Sequence, residues 1–101
     1  MKFFSLSYLY QKTITGTFPT ITNGTSTTVD ILTLATNIKV VNMFGFACRD
    51  SYQKRSLNDF DPDTKYGSSL FINSGNIIKF RCNLDAFSAH TYYITIQYTK
   101  S

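Results

Sequence analysis

The sequence predicts an all-β fold, an antiparallel, jelly-roll-like β-sandwich of about seven to eight short strands. Three observations predict it. Thr, Ile and Val supply 26 of the 101 residues, and Phe with Tyr supply another 16; these are the side chains that fit a pleated, half-buried surface. All six acidic residues are Asp, and Glu, a good helix former, is absent. Apolar and polar residues alternate with period two in several segments, and no stretch has the length and period of a stable helix. A chain of this length suits one domain. It can bury roughly two-thirds of its surface, enough for a core without metals or disulfides.

The elements follow in order. Phe4, Leu6, Tyr8 and Tyr10 alternate with polar residues. Residues 1–11 therefore read as an N-terminal strand or docking arm, and residues 12–101 as the sandwich itself. Thr13 to Phe18 is the next strand, ended by Pro19. Asn23-Gly24 is a turn signal, followed by a strand over Ser26 to Ile31. Leu32 to Asn37 has room for one helical turn. Ile38 to Cys48 is a long central strand. Ile38, Val40, Phe44, Phe46 and Cys48 share one parity, with Asn42 as the exception, and Val41, Met43 and Ala47 make the other parity apolar too. Gly45 marks a bulge or a close backbone approach. Ser69 to Ile72 and Ile78 to Leu84 form a hairpin across Asn73-Ser74-Gly75-Asn76. In its second strand Ile78, Phe80, Cys82 and Leu84 alternate with Lys79, Arg81 and Asn83. Asp85 to Ala89 is a corner. The last strand puts Tyr92, Ile94, Ile96 and Tyr98 on one face, and Tyr93, Thr95, Gln97 and Thr99 on the other.

Charge and cysteine narrow the function classes. Ten Lys and Arg against six Asp give a net charge of +4, but the basic residues are scattered and only Lys54 and Arg55 are adjacent. No specific nucleic-acid surface is expected. Cys48 and Cys82 form no CxxC, and His90 is the sole histidine. A zinc set is incomplete, and free cysteines are expected unless their strands lie close together. Met1-Lys2-Phe3-Phe4 opens like a signal peptide. The run breaks at Ser5 and Ser7 with no small-residue cleavage site, and no segment approaches ~20 apolar residues, so no membrane partner is expected.

One long irregular segment stands out, with a hairpin over part of it as the alternative to a loose loop. Arg49 to Ser68 carries about half of all charges together with Tyr52, Phe60 and Tyr66. Asp59, Asp61 and Asp63 have the spacing that opens a calcium loop. The required Gly and Glu positions hold Thr64 and Leu70, so the run reads as an Asp-rich turn, and no metal or cofactor is expected. His90 has no nucleophile motif to serve, so no catalytic residue is assigned and the chain is expected not to be an enzyme. Tyr52, Arg55, Phe60, Asp61 and Tyr66 are the candidate binding residues, since aromatics supply contact area and charged groups direct hydrogen bonds. The alternative is that these aromatics fold back onto the sandwich. The stripe of Tyr93, Thr95, Gln97 and Thr99 is polar but uncharged, which fits either a solvated face or a subunit interface. Phe4, Leu6, Tyr8 and Tyr93 are the candidate oligomer or docking residues.

Three segments follow one another in a particular order: Lys12-Thr-Ile-Thr-Gly-Thr-Phe, then Gly24-Thr-Ser-Thr-Thr-Val-Asp30, then Asn37-Ile-Lys-Val-Val41. The chain ends on Tyr92-Tyr-Ile-Thr-Ile-Gln-Tyr-Thr-Lys100. Together they resemble small β-sandwich domains of bacteriophage tail-fibre, baseplate and head-decoration proteins. The resemblance covers roughly Lys12 to Lys100 and rests on strand-and-turn grammar. Those domains often carry Trp near their variable loops, and this chain has none, so no binding residue is carried across. The resemblance implies a virion location and a homo-oligomer, with a trimer favoured. It also implies other virion proteins as partners, and a host surface glycan or receptor as a further one. The expected role is a tail-, collar- or head-associated structural subunit, with host attachment included. The competing expectation is a carbohydrate- or receptor-binding module acting through Arg49–Ser68.

Overall fold

The computed structural model describes residues 9–48, 54–63 and 65–101, with the Asp61 side chain excepted. Among the described residues eight strands form: β1 (Tyr10–Thr17), β2 (Thr27–Thr33), β3 (Ile38–Cys48), β4 (Lys54–Ser56), β5 (Asp59–Asp61), β6 (Tyr66–Ile72), β7 (Ile77–Cys82) and β8 (Thr91–Lys100). They make two four-stranded sheets, ordered β1-β8-β3-β4 and β2-β7-β6-β5. Every pairing is antiparallel. The fold is the expected β-sandwich.

The jelly-roll character lies in the outer pairs. β1 pairs with β8 and β2 with β7, as in a ribbon folded back on itself. The crossovers between sheets stay paired as well. Phe18 N–H donates to the His90 carbonyl, Ala89 N–H to Pro19, and Gly24 N–H to Asn83. Ile21 N–H donates to Ser88 Oγ and Asp85 N–H to Asn23 Oδ1. The ribbon stops there. β3 turns back on β4, and β5, β6 and β7 close as successive hairpins.

Between the sheets lies one core. Phe18, Leu57, Ile78, Phe80, Cys82, Phe87, Ile94 and Ile96 are all buried. The period-two rows supply it, since Ile94 and Ile96 face Ile78 and Phe80 across the gap, as alternation requires. An aromatic group closes the end of the core near the 85–90 corner. The Phe18 ring stacks on Phe80 at 4.5 Å and lies 4.6 Å from Tyr92, and Phe87 meets Phe80 edge-on at 5.3 Å. Phe87 sits in a 3-10 turn, Asp85–Phe87. At the other end Asn76 adopts φ 61 and holds the β2–β3 connection. Its side-chain amide donates to the carbonyls of Leu34 and Ala35, and its own carbonyl accepts from Leu34 N–H.

The structure corrects one expectation and decides two that had alternatives. Leu32 and Thr33 extend β2, so no helical turn forms over 32–37. The irregularity in β3 falls between Val40 and Asn42 rather than at Gly45. An extra residue there flips every later side chain to the other face. Ile38 and Val40 therefore face inward together with Met43, Gly45 and Ala47, while Phe44, Phe46 and Cys48 face outward. Gly45 has the second of its two expected roles, a close approach, because a Cβ on it would lie 2.9 Å from the Tyr93 carbonyl oxygen. Finally, much of the Arg49–Ser68 segment is strand, supplying β4, β5 and the start of β6.

Candidate functional site

Two surfaces carry chemistry, one on each sheet. The first is the outer face of the β1-β8-β3-β4 sheet. The register sets Gln11, Gln97 and Asn42 in one row, Thr13, Thr95 and Phe44 in the next, and Thr15, Tyr93 and Phe46 in the third. Not one of these nine residues is charged. The first row is linked across three strands: Asn42 Nδ2 donates to Gln97 Oε1 at 3.2 Å, and Gln97 Nε2 donates to Gln11 Oε1 at 3.0 Å. Thr13 and Thr95 share a hydroxyl hydrogen bond at 3.1 Å. Tyr93 stacks on Phe46 at 5.2 Å, and Lys54 Nζ lies over the same Phe46 ring. Val41 is 56% exposed, Phe44 49% and Tyr93 37%, so three large apolar groups stand in solvent on a face crossed by side-chain hydrogen bonds. Three strands with eight paired residues span roughly 400 Å² in projection.

The second surface is a groove of about 290 Å³ on the outer side of the other sheet, at its β5–β6 end. Phe60 forms one wall and is 62% exposed. Gly67 pairs with Phe60 and forms the floor. A Cβ there would come within 2.8 Å of the Asp59 carbonyl oxygen and 3.2 Å of the Phe60 ring, so bare backbone is required. Asn83 clamps this floor, since its Oδ1 accepts from Gly67 N–H at 2.8 Å and its N–H donates to the Gly67 carbonyl. Ser69 and Arg81, paired across β6 and β7, line the far side. Lys65 closes the tip with φ 65, a left-handed conformation that costs a non-glycine residue about 1–2 kcal/mol.

The expected binding residues separate. Phe60 stands in the groove. Arg55 does not join it, because its position opposite Ala47 points it between the sheets. There Arg55 lies over the Phe87 ring and pairs with Asp59 at 3.4 Å, closing the side of the sandwich between β4 and β5. Tyr66 is half-buried, its hydroxyl end against Gly24, so this aromatic folds back as the alternative reading anticipated. Tyr52, Phe4, Leu6 and Tyr8 lie outside the described residues, as does the Asp61 side chain. Tyr93 is on the uncharged face. Lys65, Gly67, Ser69, Arg81 and Asn83 were not assigned to a site from the sequence. The signal for Arg81 and Asn83 was present in the alternation of β7, but only the pairing with β6 brings them beside Phe60.

Among the described residues no group of three or more ligating side chains gathers to hold a metal. His90 Nδ1 lies 2.7 Å from the Ser88 carbonyl, at the entry to β8. Both cysteines are free. Burial pushes the Cys82 thiol above its ordinary value, with the Leu84 backbone hydrogen bond opposing and Asp59 and Asp85 adding to the rise. A raised folded value means the neutral thiol stabilises the fold fully below about pH 9.0, the ordinary value, and this stability is lost as pH climbs above it. Native protein at pH 8 is expected to alkylate at half-buried Cys48 while Cys82 reacts only on unfolding. Mass spectrometry of labelled peptides checks this, and equal labelling of the two would refute it.

Comparison with protein-family models, with curated proteins and with solved structures returns no match. The two surfaces are therefore read from their own chemistry.

Proposed function

We propose that this chain is a non-enzymatic structural subunit of a bacteriophage particle, associated with tail, collar or head, which assembles through the outer face of the β1-β8-β3-β4 sheet. The observation that supports assembly is that face: three central rows without charge, linked by cross-strand side-chain hydrogen bonds, with Val41, Phe44 and Tyr93 in the open. Interface centres are depleted in charge and rich in aromatic groups. A chain with a net charge of +4 also meets another copy most easily where its cations are few, and here Lys39 and Lys54 stand only at the margins of the three rows. The phage assignment and the preference for a trimer rest on the resemblance of the Thr-rich strands and the Tyr-rich ending to virion sandwich domains.

Light scattering tests assembly. The unaltered chain is expected to have the mass of an oligomer at about 100 μM. Phe44→Lys and Thr95→Lys, each placing a cation on the face, are expected to give folded monomers by circular dichroism, whose melting no longer depends on concentration. A monomeric unaltered chain would end the self-assembly reading. Genes for tail, portal or capsid proteins beside the coding sequence are the expected outcome for the phage assignment, and a neighbourhood without them would remove it.

The groove favours a second reading, a carbohydrate- or receptor-binding module. An exposed ring beside a bare-backbone floor, with polar groups converging on it, has the composition of a small-ligand site.

A further inference from the structure

We infer that the groove between Phe60 and Arg81 is a subsite for an acidic saccharide, one whose ring carries a carboxylate. This rests on the carbohydrate-binding reading and narrows it to a ligand class. A pyranose has an apolar face of C–H bonds and a rim of hydroxyls. Phe60, 62% exposed and lying against Gly67, offers a flat apolar surface with nothing rising from the floor beside it. Ser69 lies across the floor, where a hydroxyl can meet the rim of the sugar.

Charge selects the acidic class. Two of the carboxylates on this sheet are already matched: Asp59 pairs with Arg55 at 3.4 Å and Asp30 with Lys79 at 3.0 Å. Lys65 and Arg81 line the groove itself. The Arg81 guanidinium rests 5.4 Å from the centre of the Phe71 ring, which limits its freedom before a ligand arrives. A guanidinium so held presents a planar fork that fits a carboxylate with two parallel hydrogen bonds. Lys65, held at the hairpin tip by its left-handed backbone, adds a second positive charge. A neutral sugar would use Phe60 and the polar rim but engage neither cation through charge.

Calorimetric titration of the whole chain with trigalacturonate and with neutral galactotriose, at 150 mM salt, tests the assignment. Trigalacturonate is expected to bind at least tenfold more tightly than galactotriose. Phe60→Ala is expected to weaken both ligands tenfold or more. Arg81→Gln is expected to bring the ratio between them close to one. Both side chains are exposed, so both variants are expected to fold, and circular dichroism confirms it. Equal binding of the two ligands would overturn the acidic preference and leave the carbohydrate reading standing. Binding of neither would overturn both. Acidic preference that survives both substitutions would place the site elsewhere.

Discussion

Replacing Phe80 by Ala is expected to cost about 3–5 kcal/mol of folding stability, the range for removing a buried aromatic ring. Phe80 is fully buried, stacked on Phe18 at 4.5 Å and met edge-on by Phe87 at 5.3 Å. Its loss removes apolar burial and two ring contacts at once, and leaves a cavity that two sheets held in register cannot collapse. A domain of this size is typically stable by only about 5–15 kcal/mol, so much of the margin would go. Urea unfolding measures it, with Phe60→Ala as the comparison: the same change on the outer face of the same sheet, at a ring 62% exposed, is expected to shift stability by less than about 0.5 kcal/mol. Equal losses in the two variants would contradict the placement of both rings.

Gly45→Ala is expected to cost about 1–3 kcal/mol, the usual cost of overpacking. The added Cβ would lie 2.9 Å from the Tyr93 carbonyl oxygen, 2.9 Å from Leu57 Cδ1 and 3.1 Å from Ile94 Cγ1. A side chain can rotate away, but the Tyr93 carbonyl belongs to β8, which is paired on both sides, with β1 and β3. β3 cannot retreat either, because Leu57 N–H donates to the Gly45 carbonyl. Gly75→Ala is the control, since its Cβ would meet only side-chain atoms at 3.4 Å or beyond, and it is expected to leave the melting temperature nearly unchanged. A harmless Gly45→Ala would show that β3 and β8 lie further apart than described.

What the sequence made legible was whatever alternates without interruption. β7 and β8 came out with inner and outer rows assigned correctly, because Ile78, Phe80, Cys82, Ile94 and Ile96 hold an unbroken period of two into the core. β3 did not. Its two parities are both apolar, so composition gives no reason to place the extra residue at Val41 instead of Gly45, and the partner strand β8 decides it. Arg49–Ser68 looked irregular because β4 and β5 are three residues each, too short for a period to register. The candidate binding set split for a related reason. Arg55 and Phe60 are five residues apart, but the corner at Leu57 sends them to different sheets and different sides of them.

The uncharged face and the groove show the same division. The stripe of Tyr93, Thr95 and Gln97 was visible in β8 alone, and its lack of charge already marked it out. That Gln11, Thr13, Phe44 and Phe46 widen it into a face follows from register, which no single strand encodes. Phe60 was visible as an aromatic residue in a polar segment. Gly67, Arg81 and Asn83 reach it only because β5, β6 and β7 pair in that order. The sequence by itself determined that this chain is a sandwich of short strands with polar, charge-poor outer rows, because side-chain alternation and residue type act locally. Tertiary structure decided which rows lie side by side, because strand pairing and sheet crossing are long-range contacts set by the competition of whole strands for one core.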